Sequence, residues 1–230
     1  MNIGMIVAVE DEIDAMLSEM GQPLETESIA GFTIRKYCVM GSSLFVAQSG
    51  AGEIYAAAAT QLLITKYNVE LIVNFGICGG LTPEMSLCRT CIVEKTVHYD
   101  YDVSPIDNVP VGRYTDLPDI YIPATEELVR LATSIEPGLL PVICASGDKF
   151  VADPLRKAQL HEEYGAAICE MESAGILLTA NRAGVKTILI KAVSDSVDGG
   201  AEEFEKMAYD SAKVCVEVML SVIKRIGEKA

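Results

Sequence analysis

The sequence predicts an α/β fold, a single domain over residues 1–230 with a central mixed β-sheet flanked by helices. Three observations carry that expectation. Short apolar runs of strand length alternate with helix-favouring stretches. Glycine clusters punctuate the junctions between them. A chain of 230 residues, half of them apolar, suffices for one well-buried domain of the larger α/β kind, while two would be cramped.

Taken in order, residues 2–9 form an apolar run that meets acid at Glu10, which reads as a buried strand feeding a helix from Glu10 to Met20. Three β-type stretches near 24–29, 32–40 and 43–48 are parted by Gly31 and by Gly41-Ser42-Ser43, so an antiparallel meander is expected. Ser49-Gly50-Ala51-Gly52 opens an alanine-rich helix at 53–67. The strand 71–75 follows, then a second glycine turn at 76–80. A strand near 90–97 leads into a long loop, 99–118, holding Pro105, Pro110 and Pro118. Compact domains rarely keep such a loop without a use, and it is a candidate lid or subunit contact. A helix near 125–134 precedes the strand 141–145 and the turn Ser146-Gly147-Asp148. Asp153-Pro154 then supplies an N-cap and a first-turn proline for another helix. A short strand at 167–169, a helix at 172–183, a strand at 186–193 and a long terminal helix at 201–226 complete the chain.

Eighteen basic against thirty-three acidic side chains leave a net charge of −15, which excludes the electrostatic footprint of a nucleic-acid or anionic-lipid binder. A small neutral or cationic ligand fits better. The N-terminal run lacks the basic flank and length of a signal peptide, and no apolar run reaches membrane-spanning length. Seven cysteines, an odd number scattered through apolar runs, read as reduced core thiols. The chain is expected in the cytoplasm.

Polar residues directly after buried strands line the ligand edge of an α/β sheet. Four such places carry acid: Glu10-Asp11-Glu12, Asp148, Glu170-Met171-Glu172 and Asp195. Glu10 and Asp11 read as solvated helix-start residues favoured by the macrodipole. Function outweighs structure at Glu170-Met171-Glu172, where two acids flank a strand-to-helix switch, and at Asp195, which ends a nearly all-apolar strand. Cys88-Arg89-Thr90-Cys91 has metal-like spacing but no second pair, so no metal is expected. His98 and His161 read as structural or surface residues. Neither glycine loop contains Arg or Lys, and Glu53 at the start of the following helix competes with an incoming phosphate.

These residues resemble the nucleoside phosphorylase and nucleosidase superfamily, and within it the 5′-methylthioadenosine/S-adenosylhomocysteine nucleosidases. The resemblance rests on six segments in order: residues 3–12, 49–52, 74–81, Ser146-Gly147-Asp148-Lys149-Phe150-Val151, Glu170-Met171-Glu172-Ser173-Ala174 and Val193-Ser194-Asp195. It implies a nucleoside phosphorylase-like sheet and hydrolysis of the N-glycosidic bond of an adenine nucleoside with a 5′-thio substituent, without metal or organic cofactor. It implies that Glu12 activates water, Asp195 protonates purine N7 and Glu172 holds the ribose hydroxyls. Met171 would pack on the ribose, Phe150 on the base, Val151 would read the base edge through its backbone, and Phe204 would wall the 5′-group. Ser194 and Ile77 complete the expected substrate contacts. For Asp195 to hold a proton near neutrality, desolvation or the bound purine must lift its pKa well above the usual carboxylate value.

The sequence departs from that family at Ile77, where a small hydroxyl residue is usual, at Cys88-Arg89, at Lys149 and at Lys191, which replaces an arginine. Superfamily phosphorylases hold phosphate at places that here read Asn74 and Ile77, which favours water as nucleophile. The alternatives are a purine nucleoside phosphorylase, a nucleosidase for another adenosine derivative, or a nucleoside-binding protein that has lost catalysis. The family also implies a homodimer or higher homo-oligomer, with the 99–118 loop reaching a neighbour, and a place in methionine salvage.

Overall fold

The computed structural model describes residues 1–228. The strand β1 (Asn2–Val7) is followed by α1 (Glu10–Met20) and then by β2 (Glu25–Ile29), β3 (Phe32–Val39) and β4 (Ser42–Gln48). β2, β3 and β4 pair antiparallel, as the glycine-punctuated meander requires, and β4 lies parallel to β1. Next come α2 (Glu53–Tyr67), β5 (Leu71–Gly80), β6 (Thr90–His98), a short α3 (Ser104–Asp107), β7 (Tyr121–Pro123) and α4 (Glu126–Ile135). β8 (Leu140–Ser146), α5 (Pro154–Tyr164), β9 (Ile168–Glu170), α6 (Ser173–Ala183), β10 (Lys186–Asp195) and α7 (Ala201–Gly227) complete the order.

The sheet is mixed and helix-covered, but it is not a simple open sheet. β10 pairs with both β6 and β5, and the path β10, β6, β8, β9, β5 therefore closes on itself, with β1, β4, β3 and β2 extending from β5. β5 makes this possible. It pairs parallel with β1 over residues 71–74 and with β10 over residues 71–79, while Gly79 and Gly80 also pair antiparallel with β9. The residues 76–80, expected as a turn, continue the strand, since glycines without Cβ atoms tolerate the curvature and close approach. A register break between Val193 and Asp195 adds to the bend.

α7 packs against β5, β10 and α1, and α2 packs against α6, β1 and β4. Ile3, Met5, Val73, Ile190, Val216 and Met219 belong to the larger core, and Ile6, Leu63, Ile72 and Ile176 to the one under α2. The long loop is organised by aromatic stacking. The Tyr101 and Tyr114 rings lie 4.2 Å apart, and Tyr114 meets His98 Nδ1 at 2.7 Å. His161 Nδ1 lies 2.9 Å from the Ala166 carbonyl. Among the described residues, no helix is long and apolar enough to cross a membrane.

Candidate active site

Where β1, β5, β9 and β10 end, a cavity of about 200 Å³ opens. It gathers Glu12, Ile77, Phe150, Val151, Met171, Glu172, Ser194, Asp195 and Phe204 from six separate parts of the chain. Phe150 and Phe204 meet edge to face with centroids 5.3 Å apart. Ala8, Val9, Ala51, Cys78, Gly79, Lys149, Cys169 and Glu170 also line it. Glu10 and Asp11 face solvent, as helix-start residues do.

Glu12 is held in place by the start of its own helix. α1 has Val9 as N-cap with no side-chain cap, and Glu12 reaches back so that Oε2 accepts the Ala8 and Val9 amides at 2.8 and 3.1 Å. Its Oε1 accepts the Ile77 amide at 2.9 Å. Burial raises its pKa, against the pull of Lys191 and the three amides. The oxygen can sit this close because β5 has no side chain at Gly76. A Cβ there would lie 2.7 Å from Glu12 Oε1 and 3.4 Å from Lys191 Nζ. Gly76→Ala is therefore expected to displace the Glu12 carboxylate and lower turnover at least about 10-fold, with initial rates beside a melting curve as the check.

Glu172 sits at the N-terminus of α6, where its Oε1 accepts the Gly52 amide at 2.9 Å. Burial and the neighbouring Glu170 push its pKa up to about 7. Glu170 does not act like its neighbour. It receives Lys191 Nζ at 2.9 Å and the Ser173 amide and hydroxyl at 3.0 and 2.9 Å. Burial alone would raise its pKa, but Lys191 and these donors hold it below the usual carboxylate range. One buried ammonium thus stands against three carboxyl groups.

Glu53 corrects an expectation. It does not face the first glycine loop. Its carboxyl turns into the core, onto the Ser146 hydroxyl and the Gly175 amide, and burial with the Glu170 charge pushes its pKa up to about 8. Asp148 occupies the start of α2 instead, its Oδ1 accepting the Glu53 amide at 2.8 Å. The folded state keeps a proton on Glu53 that the unfolded chain releases near 4.5. That contribution is complete below about pH 4.5 and is lost as pH rises towards 8, with a slope of up to about 1.4 kcal/mol per pH unit. Glu53→Gln copies the neutral form, so its melting temperature is expected to fall less between pH 5 and 8 than that of the wild type. Parallel curves would remove Glu53 from this role.

Asp195 differs from expectation too. It is buried, but not as an isolated acid. Lys157 Nζ contacts its Oδ2 at 2.6 Å, and the Ser194 hydroxyl donates to its Oδ1 at 3.0 Å. Lys157 escaped the sequence reading because a lysine on a polar helix reads as solvated. The available signal was its place one turn before the buried Leu160 on the inward stripe of α5. Asn74 does not line the cavity, its amide donating to the Ile6 carbonyl at 3.0 Å. Cys91 is in the core, and Cys88 packs against Ser211.

Comparison with known proteins agrees with this architecture. A family model described as the Phosphorylase superfamily matches residues 2–224. A 5′-methylthioadenosine/S-adenosylhomocysteine nucleosidase of Shewanella putrefaciens is 30% identical over 97% of this chain and 100% of its own length. Two Helicobacter pylori structures superpose with TM-scores of 0.92 at 25% identity. One is a futalosine hydrolase, covering 97% of both chains. The other is a 5′-methylthioadenosine/S-adenosylhomocysteine nucleosidase complexed with a pyrrolidine ligand bearing a propynylthio group, covering 97% of this chain and 98% of that one.

Proposed function

This chain belongs to the phosphorylase superfamily, and from that premise we propose that it hydrolyses the N-glycosidic bond of 5′-methylthioadenosine, S-adenosylhomocysteine or a related adenine nucleoside, releasing adenine and the thioribose. The observation that carries this reading is the spacing of two carboxyl groups along one strand. Glu12 abuts β5 at Gly76 and Ile77, and Asp195 abuts it at Gly79. Three strand positions span roughly 10 Å, enough to seat a ribosyl carbon and its purine between them.

Breaking that bond leaves positive charge on the sugar and negative charge on the base. Glu12 takes the proton of the attacking water and Asp195 delivers one to purine N7. General acid-base help of this kind is typically worth about 10²–10⁴ in rate. Glu172 accepts from the ribose hydroxyls and stabilises the sugar cation as it forms. Met171 packs on the ribose, Phe150 stacks on the base, the Val151 backbone reads its edge and Phe204 bounds the 5′-substituent. Ile77 and Ser194 complete the contacts, Ile77 through the amide that orients Glu12.

Water is favoured over phosphate because carboxylates of this chain already occupy the first glycine loop. Glu172 takes the Gly52 amide and Asp148 the Glu53 amide. Lys191 and Lys157 are each held by a carboxylate. Purified protein is expected to release adenine from methylthioadenosine in phosphate-free buffer; turnover only on adding phosphate would replace the hydrolase with a phosphorylase. A second reading, cleavage of another nucleoside, draws support from the futalosine hydrolase that superposes equally well and from Lys149 on the cavity wall. A substrate panel separates the two.

We also propose that residues 1–230 form one nucleosidase domain that works in the cytoplasm in methionine salvage, a setting that suits seven free thiols. We propose further that the chain forms a homodimer or higher homo-oligomer. Ile54, Tyr55, Ile106 and Leu155 are all more than half exposed, and Ile106 lies in the 99–118 loop. Solution mass should be a multiple of the chain mass, and an active monomer would contradict this.

A further inference from the structure

Lys157 is fully buried, unusual for a residue that is almost never fully buried unless paired. Its three ammonium hydrogens have three acceptors: Asp195 Oδ2 at 2.6 Å, the Ser196 carbonyl at 2.6 Å and the Gly199 carbonyl at 3.1 Å. It thus ties α5 to the turn that follows β10. The oxygen it touches is also the one nearest the cavity floor, since a Cβ at Gly79 would lie 3.0 Å from Asp195 Oδ2. The other groups around this pair are weak or indirect. Cys78 of β5 and Cys169 of β9 are buried thiols with raised pKa values, held there mainly by burial. Glu203 of α7 is engaged by the Ser196 amide and hydroxyl at 2.6 and 2.8 Å.

Resting on the nucleosidase reading, we infer that Lys157 is a positioning residue for the departing base, which holds the Asp195 carboxyl at the cavity and feeds it the proton that Asp195 passes to the purine. The Nζ–H bond of Lys157 breaks as an O–H bond forms at Asp195 Oδ2. That proton moves to purine N7 while the C1′–N9 bond breaks and its electron pair enters the ring, and the attacking water forms the C1′–O bond as it gives one proton to Glu12. Glu12 releases this proton to solvent after the products leave, and the neutral Lys157 regains one through Asp195, which lines the emptied cavity.

The test compares two leaving groups. Adenine needs protonation to leave, whereas nitrophenolate from 4-nitrophenyl 5-methylthio-β-D-ribofuranoside departs without it. Lys157→Met is expected to lower kcat on methylthioadenosine by about 100-fold or more, with KM changed less than about 3-fold, while nitrophenyl riboside turnover falls less than about 5-fold. Equal loss on both substrates would mean that Lys157 only braces the fold, and overturns the assignment, as does full retention of adenine release. Should the single variant not fold, Lys157→Met combined with Asp195→Asn removes both charges. It should be no slower on methylthioadenosine than Asp195→Asn alone, and a further loss overturns the assignment. Wild-type protein that splits the nitrophenyl riboside but no adenine nucleoside overturns the substrate reading instead, and this assignment with it.

Discussion

Glu12→Gln is expected to reduce adenine release about 10²- to 10⁴-fold while methylthioadenosine still binds within about 10-fold of wild type. The amide keeps the shape of the carboxyl but has no free base to take a proton from water. Both carboxyl oxygens accept backbone amides, so the new NH₂ must face the Ala8 and Val9 amides or the Ile77 amide. That conflict is worth about 1–3 kcal/mol in stability, and a melting curve must accompany the kinetics. Single-turnover adenine release beside calorimetric binding separates the chemical step from affinity. A Glu12→Gln variant with undiminished turnover would take Glu12 out of the water-activating role.

The meander and α2 were legible in the sequence because glycines stand where the chain must turn and α2 begins where its glycine loop ends. The second glycine run misled for a physical reason. Gly76 to Gly80 look like a turn to any local rule, yet β9 and β10 pair with them and keep them extended. Their small size serves the approach of Glu12 and Asp195, a tertiary demand no local window contains. Glu53 was misread because Asp148, 95 residues away, takes the helix start and leaves its own carboxyl to find donors inward. The pairing of Lys157 with Asp195 spans 38 residues and two elements, and the polar neighbours of Lys157 on α5 disguise it. Residues at strand ends were findable, whereas their buried counter-charges were not.

Lys191→Met is expected to have two separable consequences. Lys191 is the buried cation facing Glu170, Glu172 and Glu12, and all three raise its affinity for the proton, Glu170 most, against a burial penalty. Removing it strands Glu170, whose carboxylate then sits buried without its ion pair. Breaking a buried pair from one side typically costs about 3–5 kcal/mol, which denaturant unfolding at neutral pH should register. Independently, Glu12 and Glu172 lose the positive charge that opposes their burial, so both should hold protons to higher pH. The acid limb of kcat/KM therefore moves to higher pH. Adding Glu170→Gln distinguishes the two effects. The double variant no longer buries a lone charge and should regain much of the lost stability, yet Glu12 still lacks its cation. Glu170→Gln also removes the charge that pushes Glu172 up, so the Glu172 part of the shift should shrink while the part due to Glu12 stays displaced. A limb with no remaining Glu12 displacement would mean that Lys191 does not act on Glu12.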